Sequence, residues 1–181
     1  ARVPCRYALI TGLGYAFQES ADNRKRKIIR SVVQGLYRSA LKRTHGVFFQ
    51  NPDDEALFRE RKILSLKTPS YVVNGSGVDL QEYPKTPIDT NGIRFLFIGR
   101  LLGDKGIREY LAATEIIKQK YPTVEIDIVG PLDINPDAIQ QEELDKWING
   151  GLIDYCGRVS DVRPQIASSS VFVLPSYREG T

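Results

Sequence analysis

The stretch Ile93-Arg94-Phe95-Leu96-Phe97-Ile98-Gly99-Arg100-Leu101-Leu102-Gly103-Asp104-Lys105-Gly106 decides how the chain is read. Residues 93–98 form a short apolar run of strand length, and the glycines after it break the strand with backbone that tolerates unusual angles. A helix is expected from Gly106 to Lys120, and a second strand from 124 to 129, ending at Gly130-Pro131. Strand, helix, strand at this spacing is the rhythm of a parallel α/β sheet. In such sheets the ligand site lies at the C-terminal ends of the strands, which directs attention to the loops after Thr11, Ile98, Val129, Cys156 and Leu174. The loop after Ile98 carries two cations, Arg100 and Lys105, beside a helix start whose free N–H groups also favour anions. A phosphate or diphosphate is the natural partner. A basic pair in a loop can equally be no more than solvated charge, so its meaning depends on the rest of the chain.

Working outward, the same alternation continues on both sides. Residues 142–149 read as helix, 152–156 as strand, 161–168 as a short helix and 170–174 as strand. Upstream, residues 6–11 and 46–50 read as buried strands, and 71–73 as a third. The long segment 22–43 places Ile28, Ile29, Val32, Val33, Leu36, Tyr37, Ala40 and Leu41 in adjacent pairs every four positions, one face of an amphipathic helix. Asn51-Pro52 supplies a cap followed by a first-turn proline for another helix to about Leu64. Between the halves lies a turn-rich connection with Pro84, Pro87 and Asn91, and a domain boundary is expected near Thr86. The fold class expected is α/β, with two Rossmann-like parallel domains, both incomplete: residues 1–86 and residues 87–181.

Composition narrows the class further. The 181 residues hold 25 basic and 22 acidic side chains, a net charge of +3, too small to argue for nucleic acid. No apolar run approaches the length of about 20 residues that a membrane-spanning helix needs. Cys5 and Cys156 follow no metal-ligand spacing and are expected to be reduced, buried thiols of a cytosolic protein. The chain has no Met, which suggests a segment of a longer protein.

The order of Asn74-Gly75-Ser76-Gly77-Val78-Asp79, Phe97-Ile98-Gly99-Arg100-Leu101, Lys105-Gly106, Gly157-Arg158-Val159 and Val173-Leu174-Pro175-Ser176-Tyr177-Arg178-Glu179-Gly180 resembles the group 1, or family 4, retaining GT-B glycosyltransferases. The match spans nearly the whole chain. The resemblance implies two Rossmann-like domains, a nucleotide-sugar donor held mainly by the second and an acceptor held mainly by the first. It implies that Arg100 and Lys105 neutralise the donor diphosphate and stabilise it as a leaving group, an electrostatic role. Gly99, Gly130, Gly157, Arg158, Val159 and Gly180 fall where the family's donor site lies. Glu179 falls on the first carboxylate of a paired signature that contacts the donor sugar; its partner, eight positions on, would lie beyond Thr181. The resemblance therefore implies a retaining hexosyl- or N-acetylhexosaminyl-transferase using a UDP-sugar, with this fragment alone inactive. It implies no cofactor and no metal.

Thr11, with Gly12 and Gly14, occupies the loop that the resemblance puts near the reacting sugar, where the family often has His. A hydroxyl can donate a hydrogen bond there but cannot serve as a base near neutral pH. In enzymes of this kind the donor phosphate itself is thought to take the acceptor's proton, so the reaction class survives the change. The single histidine, His45, precedes a strand away from these loops and reads as a turn residue.

Arg24, Lys25, Arg26, Lys27 and Arg30 crowd the start of the long helix. They are either the solvated face of a core helix or a contact for anionic lipid headgroups. Nucleic acid fits poorly, since no aromatic residues are interleaved for stacking. Members of the family with Thr-Gly-Leu-Gly-Tyr and Gly-Ser-Gly-Val-Asp resemble polysaccharide-assembly enzymes acting on lipid-linked acceptors, which implies a cytoplasmic protein peripheral to the inner face of the membrane. Two rival enzyme readings fit less well. A dinucleotide-dependent oxidoreductase fails because Phe17 stands where the fingerprint of Gly12-Leu13-Gly14 needs its third glycine. A GT-B sugar-nucleotide epimerase shares the diphosphate logic but not the motif begun at Glu179. The non-enzymatic alternative is a nucleotide-binding module.

Overall fold

The computed structural model describes residues 3–13, 17, 24–75, 77–88 and 92–179, with the side chains of residues 24–26 left aside. The chain forms two compact units, Ala1–Gly77 together with Glu179–Thr181, and Val78–Arg178. The division falls between Gly77 and Val78, earlier in sequence than Thr86.

In the first unit, strands β1 (Tyr7–Ile10), β2 (Gly46–Phe49) and β3 (Ser70–Val72) form a parallel sheet in the order β1-β2-β3. Helix α1 (Arg24–Leu41) connects β1 to β2, and α2 (Pro52–Glu60) connects β2 to β3. Asn51 caps α2 by accepting the Asp54 N–H at 2.7 Å, with Pro52 in the first turn. The core gathers on one sheet face around Phe58, whose ring is stacked on Phe17 at 5.6 Å and meets Phe49 and Tyr37 edge-on at 5.3 and 5.5 Å.

Two expectations change here. The pattern of β1 and β2 suggested strands buried throughout. In the structure Ile10, Val47 and Phe49 point into the core, while Tyr7 and Leu9 are exposed on the other face. That face also carries Phe48, whose ring packs between Tyr7 and Tyr71. A strand alternates its side chains, and among the described residues only one face of this sheet carries a buried core. The helix α1 shows the same effect. Adjacent pairs such as Ile28 and Ile29 lie about 100° apart around a helix, so they form two rows rather than one. Val33, Tyr37 and Leu41 pack on the core; Ile28, Val32 and Leu36 form a parallel row that is exposed, joined at its start by exposed Ile29. His45 fixes the entry to β2, accepting the Arg6 N–H through Nδ1 at 3.0 Å while its own N–H donates to the Arg6 carbonyl at 2.7 Å.

The second unit is a four-stranded parallel sheet of β4 (Arg94–Ile98), β5 (Glu125–Val129), β6 (Asp154–Gly157) and β7 (Val171–Phe172), ordered β6-β5-β4-β7. The intervening helices are α3 (Ile107–Lys120), α4 (Gln141–Asn149) and α5 (Arg163–Ser168). Taken in the unit's own sequence, the order is third, second, first, fourth strand, the order of a Rossmann-like half sheet with its reversal between β4 and β7. Phe97, Ile126 and Ile128 meet Ile107, Tyr110, Leu111 and Leu144 in the core. Asp127, almost fully buried, is matched by the Arg94 guanidinium at 3.0 Å, which raises the pKa of the arginine further. β7 is shorter than its apolar run: Val171 and Phe172 stand in register with Phe95 and Leu96 of β4, and the flanking Ser170 and Val173 donate their backbone N–H groups to the Arg94 and Leu96 carbonyls. Both cysteines are exposed and free, contrary to the burial expected from their apolar character: Cys5 precedes β1, and Cys156 sits on β6.

Candidate functional site

The C-terminal ends of β4, β5 and β6 are joined by backbone hydrogen bonds that glycines donate. The Gly99 N–H donates to the Val129 carbonyl at 2.9 Å, and the Gly130 N–H to the Gly157 carbonyl at 2.8 Å. Gly130 has φ +145°, and a methyl group there would overlap the Gly99 carbonyl. Glycine is therefore required by the closeness of two neighbouring chain turns. Tyr155 reinforces this corner: its hydroxyl donates to the Gly130 carbonyl at 2.8 Å, and burial pushes the phenol pKa up, keeping the donor protonated. Thus Gly99, Gly130 and Gly157 stand side by side on one rim, with Arg158 exposed next to them and Val159 half-buried.

The loop that follows β4 is held from below and from the side. Leu101 and Leu102 are fully buried, so the polar residues around them turn outward. The segment after β5 runs alongside: Leu101 N–H donates to the Pro131 carbonyl, Ile139 N–H to the Leu101 carbonyl and Gly103 N–H to the Asp137 carbonyl. Arg100 projects with 58% of its side chain exposed, and its guanidinium lies 3.2 Å from a carboxylate oxygen of Asp133. Lys105 ends a 3-10 turn, Gly103–Lys105, and Gly106 opens α3 in the left-handed region at φ +69°.

On the far side of that turn comes the segment after β7. A methyl on Gly106 would overlap the Pro175 carbonyl, and the Tyr177 N–H donates to the Asp104 carbonyl at 3.1 Å. The Tyr177 hydroxyl donates to Glu109 on α3 at 2.6 Å. That bond lowers the Glu109 pKa and raises that of the Tyr177 phenol. The loops after β4 and β7 therefore adjoin where the strand order reverses, the place where α/β sheets take their ligands. The exposed loop after β6 is fixed by Arg163, which grips Asp161 through two nitrogens at 2.8 and 3.0 Å and also pairs with Glu82.

The second unit thus assembles seven of the residues singled out from the sequence: Gly99, Arg100, Lys105, Gly130, Gly157, Arg158 and Val159. Thr11, Gly12 and Glu179 belong to the first unit; Thr11 and Gly12 are exposed after β1, and the Glu179 carbonyl accepts from the Asn51 amide at 3.5 Å. Gly14 and Gly180 lie outside the described residues. Sequence reading passed over Asp133, Asp137, Tyr155 and the Tyr177–Glu109 pair. For the first two a signal existed in Asp133-Ile134-Asn135-Pro136-Asp137, whose alternating Asp and Asn residues are formers of side-chain-to-backbone turns.

This is the arrangement of a Rossmann-like α/β domain. Comparison with known proteins makes the class specific. Residues 92–181 match the family model for group 1 glycosyl transferases. The chain is 29% identical to the N,N'-diacetylbacillosaminyl-diphospho-undecaprenol alpha-1,3-N-acetylgalactosaminyltransferase of Campylobacter jejuni, over 99% of this chain and 48% of that protein. It therefore spans about half the length of this relative. Among solved structures it resembles sucrose-phosphate synthase from Thermosynechococcus elongatus, with a TM-score of 0.70, 19% identity, and coverage of 97% of this chain and 45% of that one. It also resembles Anabaena HepE, solved with UDP and glucose, with a TM-score of 0.58, 18% identity, and coverage of 77% and 41%. Residues 92–181 are thus a group 1 glycosyltransferase segment, and the chain carries part of a Rossmann-like GT-B fold.

Proposed function

We propose that the protein containing this chain transfers a sugar from a UDP-sugar to a lipid-linked saccharide with retention of configuration. The observation that carries this reading is the loop after β4, which bears Arg100 and Lys105 and adjoins the segment after β7 at the strand reversal. Arg100 and Lys105 supply the positive charge that offsets the departing diphosphate, so the reading assigns them the work a metal ion does elsewhere. The acceptor oxygen attacks the anomeric carbon on the face that the phosphate leaves. The bond from that carbon to the phosphate oxygen breaks, and the acceptor proton passes to the released phosphate. On this reading Thr11 and Gly12 are near the reacting sugar, and Glu179 contacts the donor sugar.

The Campylobacter relative's name supports a lipid-diphosphate acceptor and an N-acetylhexosamine donor. An alpha linkage formed from an alpha-linked nucleotide sugar is retention. The UDP in the HepE structure supports uridine as the base. Incubating the complete protein with a panel of nucleotide sugars and an undecaprenyl-diphospho-saccharide tests the reading. It predicts an enlarged lipid-linked product whose new linkage, by NMR, keeps the donor's anomeric configuration. Inversion, or a changed free nucleotide sugar with no transfer, would contradict it.

A lipid-linked acceptor calls for a protein that works at a membrane surface, and the reading places it at the cytoplasmic face. The exposed row Ile28, Val32 and Leu36 on α1, beside exposed Lys27, fits the interfacial contact of an amphipathic basic helix. No helix among the described residues is long and apolar enough to cross a membrane. Replacing Ile28, Val32 and Leu36 with Ser should reduce sedimentation of the complete protein with anionic vesicles; unchanged sedimentation would remove this contact from the account.

A further inference from the structure

The strongest unassigned feature is the loop between β5 and α4, residues 130–140. Its three short polar side chains each face a defined partner. Asp133 accepts the Asn135 N–H through Oδ1 at 2.9 Å, and Asn135 accepts the Asp137 N–H through its own Oδ1 at 3.1 Å. Asp137 in turn accepts the Asp104 N–H through Oδ2 at 2.8 Å, while its carbonyl accepts the Gly103 N–H at 2.9 Å. The result is a staircase of side-chain-to-backbone turns that starts under Arg100 and ends under the turn carrying Lys105. An antiparallel bridge between Leu102 and Ala138 ties the two loops together in the middle.

One carboxylate oxygen of Asp133 is committed to its own turn, which leaves the other to meet the Arg100 guanidinium. The carboxylate is largely buried, at 19% exposure, and the arginine mostly is not. A carboxylate fixed in this way restrains one nitrogen of the guanidinium and leaves the remaining donors of its planar fork for another anion. Preorganised charge is worth more in a transition state than charge that must be gathered from solvent.

We infer that Asp133 is a positioning residue, holding Arg100 ready for the donor diphosphate through a carboxylate that the Asn135 N–H keeps in place. The inference rests on the diphosphate role of Arg100 proposed above. Asp133 touches neither substrate nor reacting atom, and its effect passes wholly through Arg100. It differs from the opposite reading, in which Asp133 acts as a competing counter-ion that the diphosphate must displace.

The test uses the complete protein with its UDP-sugar and acceptor, measuring kcat and donor KM for wild type, D133N, R100A and the double variant. D133N should lower kcat/KM for the donor by about tenfold, mainly through kcat, and should add nothing once Arg100 is gone; residues that act through one contact are non-additive in this way. D133S provides a second route, since its hydroxyl can still accept the Asn135 N–H but cannot pair with Arg100. It should match D133N if the ion pair is what matters. Activity equal to wild type in both variants, a lower donor KM without loss of kcat, or full additivity with R100A would each overturn the inference. If R100A itself retained wild-type kcat/KM, the diphosphate reading would fall as well; a crippled R100A beside a silent D133N would overturn only the role of Asp133.

Discussion

The two units solve the same folding problem to different depths. In the second, three strand ends are stitched by glycine backbone into a rim, and the flanking loops are braced by Asp137 on one side and by Tyr177 with Glu109 on the other. In the first, one sheet face holds an aromatic core around Phe58, while the opposite face exposes Tyr7 and Leu9 and the loop after β1 exposes Thr11 and Gly12. The difference teaches where a binding site can be read from backbone alone. Close approach of chain turns demands glycine at fixed places, whereas an exposed loop constrains few residue types.

Substituting glycines should expose that contrast with opposite signs. Gly130→Ala puts a methyl into the Gly99 carbonyl at a positive φ, so the second unit should lose about 1–3 kcal/mol or more from strain alone. Thermal unfolding of the protein followed by circular dichroism measures the loss; a neutral result would show that the rim is looser than described. Gly35 lies inside α1, where an added Cβ meets nothing within 4 Å. Gly35→Ala should stabilise the first unit by about 0.5–1 kcal/mol, because alanine gives up less conformational freedom in a helix. Destabilisation there would mean that a surface packs on that side of α1.

The smallest expected effect concerns the brace between Tyr177 and Glu109. The Glu109 pKa is lowered from 4.5, chiefly by the Tyr177 hydrogen bond, so its contribution to stability is present above 4.5 and fades as pH falls through the lower folded value. The Tyr177 phenol is raised from 10.0 by the same bond, so its contribution is present below pH 10 and fades as pH climbs through the raised folded value. Both groups are largely exposed, and the change is correspondingly slight. Melting temperatures of wild type and Y177F across pH 3–6 should converge at the acid end and separate toward pH 6. Parallel curves would remove the brace from the account.

Much of this architecture was legible in the sequence because its strands and helices follow their periods closely: β4, β5 and α3 stand within a residue or so of their expected limits. The places of Gly99, Gly130 and Gly157 were legible for a related reason, since each sits where a strand stops. Burial was harder. The pairs on α1 share a helical period with a core face, yet only the row through Val33, Tyr37 and Leu41 meets the core. Phe48 reads as interior by composition, but alternation along β2 turns it away from Val47 and Phe49. The cysteines were misjudged likewise, because apolar character does not say which strand face or terminus a residue lands on. Asp133 was missed because its meaning arises from a loop pairing that depends on which strands are neighbours.

The central claim is that the loop after β4, at the strand reversal, neutralises the donor diphosphate through Arg100 and Lys105. Its most direct measurement is kcat for the complete protein carrying R100A or K105A, assayed with the UDP-sugar and lipid-linked acceptor that support transfer by the wild type. Loss of one such charge should lower kcat by about 10²–10³-fold with the melting temperature nearly unchanged. Variants that fold normally and keep kcat within about twofold, an energy change below about 0.5 kcal/mol, would contradict the claim.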